Sequence, residues 1–504
     1  MAKETKVYEY RRDPVRDTLV SAFRKRRGQA TVADLVAFTG LPKHQVESEL
    51  PAVADEYGGR LAVTSSGEIL YSFPRGLASR YRGFGPGLKR FWKAARKGLA
   101  TAATILFKGW IMVMLVGYFV LFVALALLAV VASMAVSMSG NDRNRGRSRG
   151  GAGGLMLVGR LVETIVRIWF YSEAFKSPDR RAYERDLRDG RRSGLLGEAR
   201  PRGERRPLSK AVFSFVFGEP DPNAGHGLVE RRAFVAMARA NKGIVLLEDF
   251  MAVTGLSPEE AERAVNRYLY EFEGTPEVSE DGTVYYRFDA LLQRARVDDE
   301  GAADSPLARV RPFSANPPKS NRWYAVINGF NLLFGSYFLY HALAYGSTVP
   351  KTMFSYLYYF VGTLAGQVAA NPVALVAAVL GAVPVAFSAL FWLVPALRSL
   401  RLKRENERIK EANLRRVIAA KAMARPGAVV APDPSGLPEA ARPADRKAAD
   451  RIVNELAAYE DGEPGPDGRT WRLKELERKL ADIERLRAGA RPGELGGTVF
   501  DTES

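Results

Sequence analysis

The chain has 504 residues, with 74 Lys and Arg against 56 Asp and Glu for a formal net charge of +18, and no cysteine. The lack of thiols excludes disulfides, thiolate zinc sites and cysteine nucleophiles together, and the length calls for several structural units rather than one core. The basic excess is clustered: no acid occurs between Glu68 and Asp142, and Lys89, Arg90, Lys93, Arg96 and Lys97 precede a long apolar run, a placement suited to orientation in a bilayer and contact with anionic lipid headgroups rather than to nucleic acid.

In chain order, the opening MAKETKVYEYRRDP has no apolar h-region, so no cleaved secretory signal is expected. Residues 14–75 read as a small α+β module. Leu19, Ala22 and Phe23 mark the apolar face of a first helix, Leu35 and Val36 that of a second, and Val46, Leu50, Val53 and Tyr57 that of a third, with a kink expected at Pro51. Ile69, Tyr71 and Phe73 alternate behind the turn Ser66-Gly67, as in a hairpin strand.

Residues 228–292 repeat this module. The match runs without a gap from Arg16–Phe73 onto Arg231–Phe288, pairing Thr39-Gly40-Leu41 with Thr254-Gly255-Leu256, Asp34 with Asp249, Gly67 with Gly282 and Phe73 with Phe288. Ser257 before Pro258 is a good start for the third helix of the second copy. Helix, helix, tight turn, helix and hairpin, with TGLSPEEAERAV as the turn and third helix, resembles the winged-helix form of the helix-turn-helix superfamily. That resemblance implies either DNA binding or protein docking.

The outward face of the third helix separates these uses. Lys43, His44 and Gln45 stand among Glu47, Glu49, Asp55 and Glu56, and Arg263, Asn266 and Arg267 among Glu259, Glu260, Glu262, Glu271 and Glu273. Such faces repel phosphate. Docking to an unnamed protein partner is therefore expected, with Lys43, His44, Glu47, Glu259, Glu262, Arg263 and Arg267 as the candidate surface and nucleic acid disfavoured.

Between the copies, residues 76–106 form a basic juxtamembrane segment, and residues 109–138 carry no charge at all. Basic flanks on both sides favour a tight or re-entrant hairpin over 107–138 that returns to its starting side. Residues 139–210 then hold a basic loop and LMLVGRLVETIVRIWFY, whose Arg160, Glu163 and Arg167 suit an interfacial helix. GEPDPNAGHG, with Glu219, Asp221 and His226, raises a metal site, but its Pro and Gly content describes a hinge.

After a linker over 293–322, the block 323–397 contains one formal charge, Lys351. Trp323–Tyr345 and Pro372–Leu397 are long enough to span a bilayer, and Thr352–Ala370 is a third span or a re-entrant piece. His341 lies here among Tyr337, Tyr340 and Tyr345, where hydrogen-bonded packing outweighs a role in transport. Arg398, Arg401, Lys403 and Arg404 follow as further lipid-contacting candidates. A basic helix over 398–424 leads to a linker and helices over 425–504. Leu473, Leu476, Leu480, Ile483 and Leu486 form a stripe fit for self-association or for packing on the chain's own domain.

No pair among His44, His226 and His341 has metal-ligand spacing, and neither GFGPGLKR nor GGAGGLMLVG meets the requirements of a nucleotide loop. No cofactor and no enzymatic activity are expected. The expectation is a mainly α, multi-pass helical membrane protein with two small winged-helix-like α+β modules and a C-terminal helical tail. It serves as a scaffold or assembly factor in an inner membrane, with modules and C-terminus cytoplasmic. The alternatives are a membrane-tethered DNA-binding regulator and, more remotely, a transport component.

Overall fold

The computed structural model describes residues 10–25, 29–74, 76–77, 80, 84–139, 208–295, 305–350, 352, 354–445, 447–490, 495 and 497–502. Among these residues it is mostly helical with three small sheets, and it divides into two compact units, residues 1–91, 221–311 and 403–504 in one and residues 92–220 and 312–402 in the other. The basic loop and interfacial helix expected within 139–210 fall largely outside the described residues, as does Lys351.

In the first unit, helices Arg12–Lys25, Val32–Thr39 and Lys43–Tyr57 precede a hairpin of Arg60–Thr64 and Ile69–Ser72. Helices His226–Ala240, Leu247–Thr254 and Pro258–Phe272 precede a second hairpin, Thr275–Val278 with Val284–Arg287. Local chemistry sets these boundaries. Thr31 and Asp34 form a capping box, as Ser257 and Glu260 do, and Gly40 and Gly255 end the second helices at φ of 73° and 70°. The third helix of the first copy runs on through Pro51.

A third copy of this arrangement follows, built partly from the expected linker and helices over 425–504. Residues 403–424 supply a first helix, the turns Pro434–Gly436 and Glu439–Ala441 stand in for the second, and Ala448–Tyr459 is the third. A hairpin of Gly462–Pro464 and Thr470–Leu473 completes it. Sheet register carries the correspondence. Tyr71 lies between Ala30 and Leu61, Tyr286 between Val245 and Pro276, and Trp471 between Val429 and Pro464. The first two of these third helices end on a left-handed residue followed by glycine, Gly58-Gly59 and Glu273-Gly274, and in the third copy the left-handed Asp461 and Gly462 come one residue after the C-cap Glu460.

One apolar core runs through the unit. Leu19, Val36 and Leu50 of the first copy, Phe234, Phe250 and Phe272 of the second, and Ile418, Leu456 and Leu473 of the third all belong to it. The helix Lys474–Gly489 turns its leucine stripe inward: Leu476 and Ile483 are fully buried, and Leu480 and Leu486 pack beside Leu246 and Tyr285. The stripe thus packs within the unit. Beyond it, Thr498–Asp501 adds a third strand to the first hairpin, alongside Arg60–Thr64.

In the second unit the hairpin expected over 107–138 is replaced by one continuous helix. Phe84–Met112 passes through a π turn at Val113–Gly117 into Tyr118–Ser139, and the flanking Met112 and Tyr118 both keep right-handed helical angles. Nothing in the run forces reversal, since it contains no Pro, Asn or Asp, and of its two glycines Gly117 closes the π turn. Pro318–Tyr345 packs on a second π turn, Val376–Ala382, and on the Tyr118–Ser139 helix around Phe122, Phe338 and Leu380. Tyr356–Gly366 has 11 residues and reaches about 16 Å, so the middle piece is too short for a third span. Among the described residues, two helical stretches, Thr101–Met134 and Pro372–Ala424, are long and apolar enough to cross a membrane.

Candidate docking surface

The third helices carry the candidate residues, and the fold sorts them into two sets. Lys43 reaches Glu273 of the second copy at 2.6 Å and Glu47 at 3.2 Å, leaving 13% of its side chain exposed. Burial works against its charge, but the bond to Glu273 and the charge of Glu47 raise its pKa. His44 sits between the rings of Tyr10 and Tyr270, with both ring nitrogens buried and without a hydrogen-bond partner, and desolvation lowers its pKa. Glu262 accepts a bond from the Tyr459 hydroxyl of the third copy at 2.8 Å. These three residues join one copy to the next.

The outward set is smaller. Glu259 and Arg263 are more than four-fifths exposed and 3.8 Å apart, a pairing worth little in water. Glu47 is exposed beyond its contact with Lys43. Arg267 is exposed along its stem while its Nε bonds buried Glu271 at 2.7 Å, a carboxylate that also accepts from Arg231. Asp450, Arg451 and Glu455 extend the same mixed, acid-leaning surface onto the third copy.

The joints between copies are the part that sequence reasoning missed. At Gly40 an added Cβ would strike the Leu228 carbonyl and lie 3.2 Å from Arg232 Cγ; at Gly255 it would strike the Ala412 carbonyl and lie 3.0 Å from Arg416 Cγ. The turn of each copy therefore beds on the first helix of the following copy through the same two positions. Arg416 secures the second joint, donating to Val253 O at 2.8 Å, Asn413 Oδ1 at 2.9 Å and Glu230 at 2.9 Å. Desolvation lowers its pKa against the pull of Glu230. Asn413 in turn bonds both the N–H and the carbonyl of Ala308, and the carbonyl of Ala440. Asp34 and Asp249, at matching places, each take an arginine from outside their own copy, Arg239 and Arg487. The paired Asp34 and Asp249 of the repeat were the available signal.

A second buried cluster clamps the helix Lys474–Gly489. Lys479 Nζ donates to Glu248 at 2.8 Å and to both oxygens of Glu460 at 3.1 and 3.2 Å. Glu460 is fully buried, and desolvation plus the neighbouring Glu248 push its pKa up to about 8 despite the ammonium.

Of the lipid-contacting candidates, Lys89, Arg90, Lys93, Arg96 and Lys97 fall on the Phe84–Met112 helix. Arg401, Lys403 and Arg404 are exposed. Arg398 is half-buried and donates to the carbonyls of Phe313 and Phe215 at 2.6 and 2.7 Å and stacks 4.1 Å over the Phe313 ring, giving those carbonyls donors. In the hinge, Asp221 pairs with Arg311 at 3.6 Å.

No family model matches the chain, and no solved structure matches it. It is similar to an uncharacterized protein of Arabidopsis thaliana described as chloroplastic, 23% identical over 412 residues that cover 79% of this chain and 70% of that protein.

Proposed function

We propose that this chain is a multi-pass integral membrane scaffold or assembly factor whose winged-helix-like copies present a protein-docking surface. The observation that carries the reading is the charge of the outward third helices. Glu47, Asp55, Glu259, Glu260, Asp450 and Glu455 are exposed there, interspersed with Arg263, Arg267 and Arg451. A polyanion is repelled by such a face, whereas a polar protein surface of mixed charge complements it.

Membrane anchoring is supported by the two long apolar helices. Because all the copies share one core, they lie on one side of any bilayer. We propose the cytoplasmic face of an inner membrane as that side.

The test uses the full chain fused to a proximity-labelling enzyme in its native membrane. Specific neighbours should be enriched, and should be lost from a Glu259→Lys, Arg263→Glu variant that keeps its fold. Retention of duplex DNA by the nanodisc-embedded protein at low salt, released as salt rises, would instead establish the regulator reading.

A further inference from the structure

The outer edges of the three hairpins are not alike. Each hairpin is closed by one main-chain bond, Thr64 N–H to Glu68 O, Ser279 N–H to Thr283 O and Gly465 N–H to Thr470 O. Counting the antiparallel alternation from that bond, the residue opposite Tyr71, Tyr286 or Trp471 turns its own main-chain groups outward. That residue is Leu61 in the first copy, Pro276 in the second and Pro464 in the third. A proline there has no N–H to offer an added strand. Two of the three edges are therefore closed, and the first is open.

Among the described residues, the first edge alone carries an added strand, Thr498–Asp501. Leu61 O accepts from Thr502 N–H at 3.1 Å, Leu61 N–H donates to Thr502 Oγ1 at 3.2 Å, and Ser65 N–H donates to Gly497 O at 2.8 Å. Phe500 lies opposite Val63. The seat is shallow: Val499 is 72% exposed and Phe500 56%, and the pairing shifts register between Val63 and Thr64. Main-chain bonds near water with so little apolar burial mark a segment that opens early.

A foreign strand entering this place would leave Thr498–Asp501 without its partners. Reciprocal exchange with the same strand of a second copy remakes every bond and costs only association. We infer that the Arg60–Thr64 edge is a strand-exchange site through which two copies of this chain pair, each lending Thr498–Asp501 to the other. The inference stands on main-chain bonding and does not draw on the docking reading.

The chain has no cysteine, so introduced thiols report alone. A Val63→Cys chain and a Phe500→Cys chain, differently tagged and co-expressed at full length, are oxidised and resolved without reductant. Exchange yields a linked pair bearing both tags, about tenfold above the yield from Val278→Cys with Phe500→Cys, because paired thiols meet at roughly millimolar effective concentration. Adding Leu61→Pro to the Val63→Cys chain closes the edge as in the other two copies, and should lower the yield to the Val278→Cys level. A linked pair no more abundant than that level, or one that persists with Leu61→Pro, overturns the inference. The chain without introduced thiols gives a second reading by light scattering in detergent. Dimers that Leu61→Pro converts to monomers support exchange, and monomers at every concentration overturn it.

Discussion

Arg416 donates its Nε to the carbonyl of Val253 at 2.8 Å, binding the first helix of the third copy to the end of the second helix of the copy before it. Only 5% of the side chain is exposed, and its other nitrogens engage Asn413 and Glu230. Arg416→Met strands a carboxylate and a carbonyl together, and the expected loss is about 3–5 kcal/mol. Arg416→Lys keeps the charge but not the planar fork, with an expected loss of about 1–3 kcal/mol. Denaturant unfolding of the purified protein measures both; a Lys variant as stable as wild type would show that charge alone matters, and equal losses would show that the planar fork carries the joint.

Gly40→Ala and Gly255→Ala should be costly in the same way. Each residue combines a positive φ with a carbonyl packed where a Cβ would go, so strain and displacement together cost about 2–4 kcal/mol. Gly67→Ala and Gly282→Ala have φ of 83° and 79° but open space, and should cost only about 1–2 kcal/mol. Four denaturation curves decide it, and the joint is unimportant if all four variants behave alike.

The Glu460 carboxyl makes stability depend on pH. Its folded pKa is raised from 4.5 to about 8, so between those values the folded chain binds a proton that the unfolded chain releases. Its contribution is complete below pH 4.5 and is lost as pH rises through 8. Glu460→Gln removes the titration. The stability of wild type relative to this variant should therefore fall steadily from pH 5 to pH 9, and a constant difference would show that the carboxyl titrates normally.

Ile483→Ala empties a fully buried position under the Lys474–Gly489 helix, for an expected cost of about 2–5 kcal/mol. Hydrogen exchange should quicken first in that helix and in Ile244–Val245, which pack together, while Lys43–Tyr57 keeps its protection.

The first two copies are legible as a sequence repeat because the residues that set backbone geometry, Gly40 with Gly255 and Gly67 with Gly282, cannot drift without strain. The third copy escapes notice for the converse reason. Its second helix is reduced to turns, its tyrosine is replaced by Trp471, and what remains, a left-handed Asp461 before Gly462 and Pro464 opposite Trp471, has no periodicity. Charge on the third helices is equally readable, but its use is not. Lys43 and Glu262 occupy outward positions of their own helices and meet Glu273 and Tyr459 only through packing between copies. The run 109–138 stays helical despite its basic flanks, because thirty residues without Pro, Asn or Asp offer no turn.

The pairing of Thr498–Asp501 with Arg60–Thr64 also sets a clock. Leu61 N–H meets Thr502 Oγ1 across a separation of 441 residues, and at about 5–20 residues per second a ribosome needs about 20–90 seconds to make that stretch. During synthesis the outer edge of Arg60–Thr64 waits bare, a template open to any passing strand. Whatever shields that edge in the interval, a chaperone or the nascent chain itself, guards the molecule at its most aggregation-prone moment.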